Sequence, residues 1–179
     1  MVDGTVNRRH RTAGAQQGKH GAGRQWRFLP HVRITRIRTM RPETLATAAA
    51  RPPGQSGLAT GEVRRAGTLT LARPTPRDLW RFDAGSSGCV RPVEETTRDD
   101  DACIFSVDAS DGFVVVEMRS DDVDAWLAHH VDACSIPEAG TCLRCRMNEI
   151  SVVLIKLDAD LVWLVAEFSL KAHLEGSLS

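Results

Sequence analysis

Tyrosine is absent from the 179 residues, asparagine occurs only at Asn7 and Asn148, and lysine only at Lys19, Lys156 and Lys171. Positive charge therefore rests almost wholly on arginine, whose guanidinium stays ionised and forks onto carboxylates or phosphates. Long apolar runs are missing too. The nearest, residues 150–168, is broken by Lys156, Asp158, Asp160 and Glu167, which excludes the apolar helix a membrane span needs. The opening residues lack the hydrophobic stretch of a secretory signal, and the first serine is Ser56, unlike a serine-rich transit peptide. These absences lead to the expectation of a cytoplasmic chain with no membrane partner. Met40 offers an alternative start. No phosphate loop or dinucleotide fingerprint is present, and Ser86, in Gly85-Ser86-Ser87-Gly88, has no nucleophile-elbow context.

What is present is a division of charge. The formal net charge is zero, but residues 1–82 hold 16 Arg and Lys against 4 acids, and residues 83–179 hold 7 against 19. The halves thus carry +12 and −12. An asymmetry of this size suggests a basic arm joined to an acidic folded domain.

Residues 1–30 are dominated by Arg, Gly, Gln and His, with Trp26 and Phe28 as their aromatics. So little apolar surface does not offset a backbone ordering cost of about 1–2 kcal/mol per residue. Residues 31–38 alternate partly, which allows a short strand, and Glu43 to Ala50 favours a short helix after Pro42. Pro52, Pro53, Pro74 and Pro76 mark a linker with one weak strand at 66–72, and Leu79 to Phe82 are apolar enough to dock on a domain. The expected organisation is a disordered basic arm and linker over 1–78, a transitional acidic loop over 79–101, and a small domain over 102–175.

That domain reads as α+β, in the order β-β-α-β-β. Residues 103–107 and 113–118 are rich in β-branched side chains around the turn Asp111-Gly112, a hairpin pattern. Val123, Trp126, Leu127, His130, Val131 and Cys134 fall on one helical face, predicting a helix over 121–133 entered through Ser120. Residues 149–157 and 161–168 are nearly continuous apolar segments about Asp158-Ala159-Asp160. They predict a second hairpin covered on both faces, with a final helical turn over 169–175.

Two sets of residues carry candidate chemistry. His130 and Cys134 are four apart on the expected helix, and Cys142 and Cys145 have the two-residue gap common in zinc sites. Together they make a candidate closed Cys3His structural zinc site. The same thiols also allow a redox pair or a Cys134–His130 nucleophile, which keeps a thiol- or metal-dependent enzyme as an alternative. Free cysteine is equally at home in a core. In the basic half, Arg8, Arg9, Arg11, Arg24, Arg27, Arg33, Arg36 and Arg38 offer phosphate contacts, and Trp26 a stacking surface, for nucleic acid. The leading expectation is a non-enzymatic interaction protein, its acidic domain meeting a protein partner. Nucleic-acid binding through the arm is the alternative from another class.

Overall fold

The computed structural model describes residues 17–19, 25–41, 57–85 and 104–178. Their strands are β1 Gln17–Lys19, β2 Gln25–Phe28, β3 Arg33–Thr39, β4 Val63–Ala66, β5 Leu69–Thr75, β6 Asp78–Asp83, β7 Ile104–Asp108, β8 Phe113–Arg119, β9 Thr141–Met147, β10 Ile150–Asp158 and β11 Leu161–Glu167. Two short helices are α1 Val123–Leu127 and α2 Lys171–Leu178. A six-stranded sheet has the order β1-β2-β8-β11-β10-β9, and a five-stranded sheet the order β4-β5-β6-β3-β7. All pairings are antiparallel.

Three layers result. On one face of the six-stranded sheet, Val115, Val153, Ile155, Trp163 and Val165 pack against Ile34, Ala72, Trp80 and Phe82 of the five-stranded sheet. On its other face, Val116, Met118, Leu154, Val162 and Leu164 pack under Trp126 and Leu127 of α1 and Leu174 and Leu178 of α2. Strands β10 and β11 lie in the middle of this arrangement. Their near-continuous apolar sequence follows from having protein on both sides. Lys156 interrupts the run without harm. Its stem is buried, and its ammonium meets both carboxylate oxygens of Asp124 on α1 at 2.5 and 2.6 Å.

This corrects the expected fold. The chain is mostly β with two packed sheets, not an α+β domain of two hairpins and one helix preceded by a disordered half. Strand β2 pairs with β8, burying Trp26 and Phe28. Strand β3 sits between β6 and β7 and buries Ile34. The position expected as a domain boundary, near residue 102, therefore separates strands hydrogen-bonded to one another. The arginines that made these segments look solvated are accommodated by acids distant in sequence. Arg27 bonds Glu117, Arg33 bonds Asp108, and Arg36 and Arg38 share Asp78. The expected helix over 43–50 lies outside the described residues.

The first expected hairpin does not form, because β7 joins the five-stranded sheet and β8 the six-stranded one. Residues Ser110–Gly112 form a tight 3-10 turn that carries the chain across. Ser110 fixes the crossing. Its hydroxyl donates to Asp108 at 2.6 Å and accepts from the Ile34 amide at 2.9 Å. The second hairpin forms as predicted, β10 with β11 across Asp158–Asp160, with a register shift between Lys156 and Asp158. Helix α1 begins at Val123 with Asp122 as its N-cap and no side-chain cap bond; the Ser120 hydroxyl accepts the Asp122 amide at 3.2 Å, just before the helix and not within it. The helix ends at Leu127, well short of residue 133, and continues as turns through His130.

The two sheets meet differently along their two sides. On one side they are stitched together. Cys142 donates its amide to Gly61 at 2.7 Å, Val63 donates to Gly140 at 2.8 Å, and Glu62 bridges Thr141. Gly61 has φ +85°, a conformation that favours glycine, and a Cβ there would meet the Cys142 carbonyl. On the other side β7 is the outermost strand of its sheet, with no paired neighbour beyond it among the described residues.

Candidate functional site

The four residues of the expected zinc site do not converge. Residues 141–147 form a strand, where side chains three apart point to opposite faces. Cys142 accordingly joins the cluster between the sheets, and Cys145 packs on the helix-covered side. The spacing that suits a metal knuckle in a loop separates the thiols in a strand. Burial pushes the Cys142 thiol up to about 12, and its sulfur donates weakly to the Glu62 carbonyl at 3.6 Å. Burial, with the Asp132 carboxylate nearby, pushes Cys145 up to about 11. Both therefore stay protonated near neutral pH and are poor nucleophiles. Cys134 is exposed in a 3-10 turn, Ala133–Ser135. The His130 ring rests on Trp126, with centroids 4.2 Å apart, and Nδ1 lies 2.9 Å from the Asn148 amide nitrogen. Among the described residues no group of three His, Cys, Asp or Glu is placed to hold a metal ion. Cys89 and Cys103 lie outside the described residues.

His129, His130, Asp132, Arg146 and Glu149 line an open hollow of about 400 Å³ beside the β9–β10 turn. The turn itself is Asn148-Glu149, with φ 45° and 70°. Two successive left-handed residues form the tight hairpin link whose twist matches its strands. The hollow mixes cations and carboxylates on a broad surface and presents no aligned nucleophile and base.

The residues expected to bind nucleic acid are placed otherwise. Arg8, Arg9, Arg11 and Arg24 lie outside the described residues. Trp26 is buried edge-on against Phe28 and offers no stacking face. Arg27, Arg33, Arg36 and Arg38 are each engaged with a carboxylate.

The feature that sequence reasoning missed is the open side. Four large apolar side chains are exposed among the described residues: Met40, Phe105, Val107 and Phe168. Phe105 and Val107, at 63% and 59% exposure, sit on β7. In register, Val107 lies opposite Arg36 and Phe105 opposite Arg38. Arg36 and Arg38 in turn lie opposite Trp80 and Asp78. All therefore share the inner face of the five-stranded sheet, and exposed Met40 follows the end of β3. The face is buried at Trp80, where Phe113 packs at 4.8 Å and Arg36 covers the ring at 5.2 Å. At β7 it emerges uncovered. Asp78 anchors the rim. It is buried, accepts from Arg36 Nη2 at 3.0 Å and Arg38 Nε at 2.9 Å, and takes the Thr75 hydroxyl at 3.1 Å. The two guanidinium groups share this one carboxylate, and Arg38 remains 60% exposed beside Phe105. The surface combines an apolar centre, a cationic rim and an open backbone edge. Such an edge is normally blunted by charge, proline or cover.

No protein-family model and no curated protein matches the sequence. Among solved structures, the chain is similar in fold to a chain of the heterotetrameric sarcosine oxidase of Corynebacterium sp. U-96 in complex with pyrrole 2-carboxylate. The TM-score is 0.69 at 14% identity, over 87% of this chain and 81% of that one.

Proposed function

We propose that this protein is an interaction subunit, working by protein–protein contact through its open side rather than by catalysis. The carrying observation is that Phe105 and Val107 stand exposed on one face of β7, an edge strand with no paired neighbour beyond it among the described residues. An exposed strand edge recognises other chains by main-chain hydrogen bonds, and alternate side chains give it selectivity. The placement of the cysteines, high-pKa thiols in two separate clusters, favours contact over thiol chemistry. The similar solved chain belongs to a heterotetramer, which supports a role within an assembly without identifying the partner.

The test is the native size of the full chain in an extract of its source, compared with a variant carrying Phe105→Lys and Val107→Lys. The expected result is a species well above the 19.6 kDa of one chain, reduced to monomer size by the double substitution. Monomer size for both would overturn the reading.

A further inference from the structure

We infer that the occupant of the open side is a second copy of this chain, joined through antiparallel pairing of the two β7 strands about Ser106. The inference rests on the contact role proposed above and names its partner. It is carried by the self-complementarity of Ile104-Phe105-Ser106-Val107-Asp108. In a two-fold interface the same patch meets itself, so residue i faces j and j faces i. With Ser106 on the axis, Phe105 of each copy lies directly opposite Val107 of the other, both on the inner face. The exposed aromatic and β-branched side chains then cover one another, a favourable cross-strand pair. On the outer face the small Ser106 side chains meet each other, and Asp108 meets Ile104, so no like charges stand opposed.

The rim agrees. Arg36 and Arg38 lie one strand back, held by Asp78 and Trp80, so neither copy sets a cation against the other's across the new seam. Strand β3 runs antiparallel to β7. The pairing therefore brings the Asp108 end of each β7 to the side where the other copy's β3 ends in exposed Met40 and Arg41. The two five-stranded sheets become one continuous sheet, and both open edges are removed.

Purified full-length protein, with no other component, tests this by sedimentation over a range of concentrations. The expected wild-type result is a reversible dimer of about twice 19.6 kDa. The variant with Phe105→Lys and Val107→Lys places lysine opposite lysine twice, and its dissociation constant should rise at least ~10-fold. The variant with Phe105→Lys and Val107→Glu places lysine opposite glutamate twice and should recover most of that loss. Recovery depends on this register, and both positions are exposed, so each variant keeps the wild-type thermal transition. Ser106→Cys should cross-link readily between copies under mild oxidation, and Ser151→Cys, at an exposed position of β10, should not. A dimer that ignores these substitutions, or cross-links equally at 151, overturns the pairing. A purified chain that stays monomeric while the native complex still depends on Phe105 and Val107 overturns the second copy and leaves the contact role standing. Loss of both removes the contact role as well.

Discussion

Leu164 and Phe105 both stand in the middle of strands, yet one is fully buried and the other is 63% exposed. The contrast belongs to their sheets. The six-stranded sheet has the five-stranded sheet on one face and two helices on the other. The five-stranded sheet has one well-covered face, and among the described residues its outer side bears a small cluster of Leu58 and Leu79, with Ile37 and Leu71 against it. The first is built to be interior. The second is interior at β5 and β6, and at β7 it becomes surface. Burial is thus divided between the sheets: one is covered on both faces, and the other leaves β7 exposed.

Substitutions can break or sharpen that division. The largest effect is expected at Trp163, 2% exposed and bonded through its indole N–H to Glu117. Trp163→Ala should cost about 3–5 kcal/mol in chemical denaturation. A cost under about 1 kcal/mol would show that the six-stranded sheet is not the interior.

Ile34→Ala comes next, at about 2–4 kcal/mol, because Ile34 is 1% exposed in the cluster between the sheets. An unchanged denaturation midpoint there would return the arginine-rich segment to the status of an arm.

Asp78→Asn leaves Arg36 and Arg38 without their shared carboxylate. Since Arg38 is largely solvated, about 2 kcal/mol is expected, less than for a wholly buried pair. Adding salt should shrink the difference between variant and wild type in paired melts if charge is its origin.

An effect of a different kind is set by pH. Cys142 and Cys145 titrate near 12 and 11 in the folded chain, above their ordinary value of 9.0. The folded state prefers the protonated thiols, so their contribution is complete below about pH 9 and is lost as pH rises through 11 and 12. Replacing both by alanine should flatten the alkaline fall in melting temperature between pH 9 and pH 11. An identical slope would mean that the thiols are more solvated than their packing implies.

How far this was legible depends on where each strand finds its compensation. The β10–β11 hairpin and its turn could be read directly, because both covering layers leave a run of Val, Ile, Leu and Trp. The final helical turn expected over 169–175 is found as the longer α2, Lys171–Leu178. Strand β3 could be read only as a possible short strand over 31–38, and its place inside a sheet could not. Arg33-Ile34-Thr35-Arg36-Ile37-Arg38 looks solvated until Asp78, 42 residues from Arg36, and Asp108, 75 residues from Arg33, are placed beside it. Local composition does not contain those partners. The candidate metal site failed for a related reason. Its residues were read with the geometry of a helix and a loop knuckle, and β9 sends Cys142 and Cys145 to opposite faces. The exposed edge was invisible in the sequence because Phe105 and Val107 look like any core strand. Only the order of strands puts them outside.

The route of the chain between β2 and β8 has a kinetic consequence. These strands are neighbours in the six-stranded sheet, yet Arg27 and its partner Glu117 are 90 positions apart, and the whole five-stranded sheet is strung between them. Closing so large a loop is entropically slow, whereas β10 and β11 meet across a short turn. The acidic end of the molecule should therefore zip up early, and the opening strand should slot in last. Pulse-labelled amide exchange during refolding would show Leu154 protected well before Trp26, and the reverse order would mean that the inserted sheet acts as the template.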